Sequence, residues 1–335
     1  MTASRRRPVG PIGRRPVEWH TVWSARQPPI ARIRSGDEIL LDVPDASAGQ
    51  LHRRSTRSDL AGIDHSKVDA AVGPFAVEGA RPGDGLRLHL RDVRIGSWGW
   101  SAVFREFGLL RNRFDDDLVT WKIAGGLARP ASGFLRPVTI PVRPMLGWLG
   151  TAPREGEHSM IPPRRTGGNM DSRLHGPGAT ILLPVEVPDA LLSVGDPHAA
   201  MGDGEVCGTG IEAPARVRIR VELVPDGAPP FPRVEVPALP MDPGPAYVAT
   251  GIGPDPLEAA RFALEGIIDW LGRRGVAAKE AYLLASLVGH LRWSEAVDLP
   301  NHVVSMTFPS DLRWGPVGAT GAFKPSGARR RRAHG

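Results

Sequence analysis

The sequence predicts a mainly β fold, a sandwich or barrel, with an α+β part at its C-terminal end. Three observations carry this. Gly and Pro number 40 and 34 among 335 residues. They stand as turn pairs between short apolar runs, well above ordinary usage. Two runs alternate with period two, as half-buried strands do. In one, Leu86, Leu88 and Leu90 alternate with Arg87, His89 and Arg91; in the other, Val217, Ile219, Val221 and Leu223 alternate with Arg216, Arg218, Arg220 and Glu222. Finally, turn and strand follow one another repeatedly with no helix between them, which excludes βαβ units over most of the chain.

Taken in order, residues 1–17 read as a disordered basic tail, and β-structure begins near Trp19. A strand over 38–43 follows the turn Ser35-Gly36-Asp37, and one over 86–93 follows Pro82-Gly83-Asp84. Trp98 and Trp100 read as a packed β-surface. Another strand, 180–187, follows Gly176-Pro177-Gly178, and the clearest runs over 216–224. Helix comes late. Asp255-Pro256-Leu257-Glu258 offers an acidic N-cap, a proline at the first helical position and a capping-box Glu;. Leu257, Ala260, Leu264, Ile267, Ile268 and Leu271 then recur at helical spacing, up to stops at Gly272 and Gly275;. A second helix is expected from Ala277 to about Leu291, then a strand over 302–308. The Pro-rich runs near 145 and 230 suggest an N-terminal β domain (18–145), a central β segment (146–230) and an α+β part (231–314). A second basic tail covers 315–335.

The formal charge of +6 misleads. Arg5, Arg6, Arg7, Arg14, Arg15, Lys324, Arg329, Arg330, Arg331 and Arg332 all sit in the two acid-free ends, and setting those ten aside leaves −4. A nucleic-acid-binding protein carries its basic stripe on the folded surface, so no nucleic-acid partner is expected. Cys207 is the only cysteine, so no disulfide forms within the chain, which suits a reducing compartment;. The N-terminal arginines precede no apolar run, and no stretch has the ~18 apolar residues of a membrane span. These features point to the cytoplasm and away from a membrane.

Chemistry concentrates in residues 153–212. Asp171 ends Gly-Gly-Asn-Met-Asp; Asp196 and His198 lie in Gly-Asp-Pro-His; Asp203 and Glu205 lie in Gly-Asp-Gly-Glu; Glu212 closes the run. Glycines beside acids let the backbone turn tightly and draw carboxylates together, and strand-end loops commonly hold sites. Asp171, His198 and one carboxylate of the Gly-Asp-Gly-Glu turn suit a borderline divalent metal such as zinc. Such an ion acidifies water toward pH 7, and a nearby Glu serves as general base, then as acid to the leaving group. The spacing alone also fits solvated turn acids and a hydrogen-bonded His.

Gly167-Gly168-Asn169-Met170-Asp171, Pro184-Val185-Glu186-Val187, Gly195-Asp196-Pro197-His198 and Gly202-Asp203-Gly204-Glu205 occur in this order over about sixty residues. Together they resemble the acetamidase/formamidase family. Weaker likeness extends to Gly49-Gln50, to Val77-Glu78-Gly79-Ala80 and to Val297-Asp298-Leu299-Pro300-Asn301. The resemblance implies an amidohydrolase that converts a short linear carboxamide to carboxylate and ammonia, on a mostly β fold. A divalent metal, zinc for preference, would sit on Asp171 and His198. Glu205, Asp203 and Asp196 would be catalytic, and Asn169, Met201 and His158 would contact substrate. The protein is expected to be a homo-oligomer.

Two departures bear on substrate. Met201 stands where the family usually has Gln, and Ala70-Ala71-Val72-Gly73-Pro74 lacks the usual proline and hydroxyl. Methionine accepts hydrogen bonds only weakly, so a larger, less polar amide than formamide fits, or a silent homologue that binds an amide or assembles with partners. Cys207 raises a further alternative, a cysteine-dependent amidase, against the reading of a buried small hydrophobe.

Overall fold

The computed structural model describes residues 18–237 and 244–312. The two basic tails lie outside the described residues. Strands dominate, as the turn-and-alternation pattern requires. The larger sheet has eight strands, all paired antiparallel, in the order His290–Glu295, His302–Pro309, Ala246–Gly253, Arg233–Val236, Thr180–Pro184, Gly85–Ile95, Ala215–Val224 and Glu38–Val43. A six-stranded sheet runs Trp19–His20, Ala71–Val77, Leu192–His198, Met145–Gly150 and Gly167–Asn169, with Ala31–Ile33 added parallel to Ala71–Val77. A four-stranded sheet, Ile140–Pro141, Leu127–Ser132, Asp117–Ala124 and Trp98–Val103, stands beside them.

The two larger sheets face each other across one apolar core. Leu86, Leu88, Leu90, Val217, Ile219 and Val221 enter it from one side; Val72, Phe75, Leu146, Leu149, Leu192 and Val194 enter from the other. This is sandwich packing of two inner faces. The arginines that alternate with the valines stay on the outer face, where Arg216 pairs with Asp42 at 2.8 Å and Arg220 with Glu222 at 2.9 Å.

The C-terminal helices close the other face of the large sheet. The helix Pro256–Gly272 begins where Asp255 accepts a hydrogen bond from Leu257 N–H, and it carries its proline in the first turn. Ala263, Ile267, Trp270 and Leu271 pack with Ala249, Met306 and Phe308. Val248, on the same strand as Ala249, points the opposite way into the main core, as the period of a strand demands.

Three elements differ from expectation. The second helix is Ala278–Val288, shorter than foreseen. Gly289 is extended, and His290–Glu295 turns away to pair with His302–Pro309 as an edge strand. The strand from Thr180 stops at Pro184, the last residue in register with Gly85–Ile95; Val185 N–H then bonds the Asp84 carbonyl at 2.9 Å. Finally, Leu192–His198 is a buried strand with a bulge between Leu192 and Val194, where the sequence suggested a loop.

Candidate active site

Four pieces of chain deliver carboxylates to one point. The strand Leu192–His198 brings Asp196 and His198 to the end of the six-stranded sheet. Asp171 follows the strand Gly167–Asn169, two places along in the sheet. Glu212 lies between sheets, because its backbone pairs with both His198 and Trp100. The Gly-Asp-Gly-Glu turn is tied to the edge strand His290–Glu295 through Gly204 N–H to the Ser294 carbonyl at 2.9 Å, which sets Glu205 beside Glu295 and Asp298.

The middle strand Met145–Gly150 must leave room for this. A Cβ on Gly147 would overlap both Asp171 Oδ1 and Asp196 Oδ2. Glycine at 147 is therefore what allows two carboxylates to share the space above the sheet. The backbone is strained at the same residues: Asp171, Asp196 and Glu205 have φ of 37°, 50° and 41°, and Asp69, also on the cavity wall, has 52°. Left-handed backbone at a non-glycine residue persists only where the surroundings enforce it, and it concentrates at functional sites.

The imidazole of His198 is the hub. Its Nε2 lies 3.0 Å from Asp196 Oδ2, 3.1 Å from Glu212 Oε2 and 3.6 Å from Asp171 Oδ1, and its Nδ1 is 3.8 Å from Glu205 Oε1. All five side chains are buried. Burial alone would lower the His198 pKa, but the charges of Asp196 and Glu212 overcome it and hold the pKa well above the usual value. Burial, then the charge of Asp196, pushes Asp171 well above the carboxylate range; burial and the Asp171 charge do the same to Glu205. Burial raises Glu212 and Glu295 to about 7 each. Asp298 is raised by burial and by the charge of Glu295. Asp196 alone goes down: burial opposes this, but the adjacent imidazolium wins. Carboxylates this close cannot all ionise without a counter-charge.

The residues fit a cation. Both oxygens of Asp171, Oδ1 of Asp196, Nδ1 of His198 and Oε2 of Glu295 are buried without a hydrogen-bond partner. One ligand atom each from Asp171, His198 and Glu205 lie within 4.8 Å of one another, as do those of Asp196, His198 and Glu212, and of Asp171, Glu295 and Asp298. If Nε2–H of His198 donates to Asp196, Nδ1 is left with its lone pair for an ion, the usual carboxylate–histidine–metal arrangement. Oxygen and imidazole donors suit a borderline divalent metal.

Asp196, His198, Glu205 and Glu212 floor a cavity of about 500 Å³ that is also lined by Asn169, Asp69 and Asp298. Asn169 donates to Asp298 Oδ2 at 2.8 Å, and its Oδ1 has no partner.

Other expected site residues go elsewhere. Asp203 accepts from Arg292 at 3.0 Å and faces Arg173 at 3.9 Å, so of the two acids in its turn only Glu205 reaches the cluster. Met201 lines a separate depression with Arg143, Arg173 and Pro177. His158 is half-buried and bonds the Glu155 carbonyl at 2.8 Å, away from the cavity. Cys207 is exposed, not buried, with Sγ 3.5 Å from the Thr209 carbonyl, and it does not line the cavity. Trp100, assigned no role from sequence, forms part of the cavity wall.

The sequence model of the acetamidase/formamidase family matches residues 11–157 and 154–313. The chain is 26% identical to a formamidase of Methylophilus methylotrophus, covering 88% of this chain and 89% of that one. It is also 26% identical to an acetamidase of Mycolicibacterium smegmatis, over 80% and 85% of the two chains. The crystal structure of an acetamidase from Bacillus halodurans superposes with a TM-score of 0.79 at 28% identity, covering 87% of this chain and 95% of that one.

Proposed function

The chain belongs to the acetamidase/formamidase family, and on that premise we propose that it hydrolyses a small carboxamide to a carboxylate and ammonia at the cluster around His198. The observation that supports this best is the convergence of Asp196, His198, Glu205 and Glu212, all buried, on the floor of one cavity, with Asp171 behind them 3.6 Å from His198. Asp171, His198 and Glu205 would hold a divalent cation, zinc for preference. When bound, such an ion polarises an amide carbonyl and acidifies water. The chain's own groups do the rest. Glu212, buried on the cavity floor 3.1 Å from His198, is placed to take a proton from the attacking water and return it to the departing nitrogen;. The unpartnered Oδ1 of Asn169 accepts an amide N–H and orients the substrate. Asp196 holds the His198 ring through its 3.0 Å contact. No observation favours Cys207 as nucleophile.

The test is ammonia release from formamide, acetamide and propionamide by the purified protein, before and after chelation. Release that disappears on chelation and returns with added divalent ion supports the proposal. No release from any carboxamide by the metal-loaded protein overturns it.

A further inference from the structure

The cavity is far larger than the smallest amides need. At about 30 Å³ per water molecule, its volume of about 500 Å³ holds roughly seventeen waters. Formamide or acetamide would fill only a small corner, while pockets of several hundred Å³ generally take much larger ligands.

The composition of the wall says what fills the rest. Above the charged floor stand Ile63, Val68, Trp100, Phe104, Phe107 and Ile161, with the exposed Arg105, Glu106 and Asp116 also on the lining. The aromatic groups among them are held in place. The Trp100 indole N–H donates to Asp45 Oδ1 at 2.9 Å, and Asp45 also accepts from Ser47 N–H at 3.0 Å. The Phe107 ring lies where a Cβ on residue 208 would be, a position open because residue 208 is glycine with φ of +89°. Phe104 meets His65 edge-on, ring centroids 6.2 Å apart. A rigid apolar wall binds apolar surface without first paying to order itself.

We infer that the substrate is a primary carboxamide whose acyl group carries an aromatic or alicyclic ring, seated between Trp100, Phe104 and Phe107 with its amide on the charged floor. This rests on the amidase reading above and specifies its substrate class. The ring would exclude water from the cavity as it binds, and each buried methylene adds about fourfold in affinity. Offset or edge-to-face contact with the aromatic wall adds to that.

The experiment compares kcat/KM for phenylacetamide, benzamide and cyclohexanecarboxamide with that for acetamide and formamide, by ammonia release from the metal-loaded protein. The best ring amide should exceed acetamide by roughly thirtyfold or more. In Val68→Phe, which fills the wall, the ratio of phenylacetamide to acetamide should fall at least roughly tenfold. Equal or better turnover of acetamide by the wild type overturns the inference while leaving the amidase reading intact. An unchanged ratio in Val68→Phe also overturns it. Ammonia from no amide at all overturns both.

Discussion

Two sets of charged side chains in this protein obey opposite rules. On the outer face of the eight-stranded sheet, cations and carboxylates pair within and across strands: Arg216 with Asp42, Arg218 with Glu38 at 3.6 Å, and Arg220 and His89 with Glu222. Each of these acids has a base beside it, and water reaches the ladder. At the end of the six-stranded sheet, acids outnumber bases heavily. Asp171, Asp196, Glu205 and Glu212 surround one imidazole, with Glu295 and Asp298 behind. The ladder is solved locally by pairing. The cluster is left unsolved by the chain itself, at the cost of strained backbone and orphaned oxygens. A fold tolerates that where something outside the chain completes it.

The sharpest way to break the comparison is Asp171→Asn. The change keeps shape but removes one charge and one ligand. Activity on the best amide should fall by about a thousandfold, roughly 4 kcal/mol of transition-state stabilisation. Stability of the metal-free protein should hold or rise, because a crowded buried carboxylate is gone. Unfolding at a much lower denaturant concentration would instead mark Asp171 as a structural group.

Gly147→Ala acts on the same crowding from the strand beneath. Its methyl meets Asp171 and Asp196, so denaturant melts should show a loss of about 3 kcal/mol. A neutral result would mean that the carboxylates have space to spare.

His175 tests whether burial or partners set the fate of an imidazole. It is buried like His198, but where His198 has Asp196 and Glu212 beside it no charge offsets the burial of His175, and burial lowers its pKa to about 4. The folded state therefore resists its protonation. As pH falls below the unfolded value of about 6.5, the unfolded chain takes up a proton that the folded one refuses, and stability drops. Between pH 7 and 5 the stability difference between wild type and His175→Gln should shrink by about 2 kcal/mol. Parallel pH curves for the two proteins would refute the assignment.

The ladder should give the smallest effect. Arg216 and Asp42 are both more than half exposed, so Arg216→Ala should leave the denaturation midpoint and catalysis close to those of the wild type. A clear drop in the midpoint would erase the contrast between the regions.

Much of this was legible in the sequence, for reasons that can be named. Period-two alternation exposed the strands at Gly85–Ile95 and Ala215–Val224, and the Asp255-Pro256 cap fixed the start of its helix. Glycines flanking acids pointed to Asp171, Asp196, His198 and Glu205, which the fold gathers together. The sequence could not choose between Asp203 and Glu205, because a tight turn sends residues two apart in different directions; the choice depends on Arg292, far away in the chain. Nor could it place Glu295 and Asp298 beside the cluster, since they arrive by long-range pairing of the Gly-Asp-Gly-Glu turn with an edge strand whose first two residues were expected to end a helix, nor Asp69, which comes in just before the strand Ala71–Val77. Met201 stood out as a departure from a motif, yet its side chain faces a different depression. A motif fixes which residues are unusual, whereas the sheet fixes where they point.

The most direct measurement is the divalent metal content of the purified wild type beside that of Asp171→Asn, by inductively coupled plasma mass spectrometry on protein that has passed a desalting column. If an ion completes the cluster, the wild type should retain about one equivalent or more per chain, and the variant well under half of that at equal folded content. A wild type that is fully active and free of metal, or a variant that holds as much as the wild type, would contradict the view that Asp171 and His198 anchor a metal at the centre of the site.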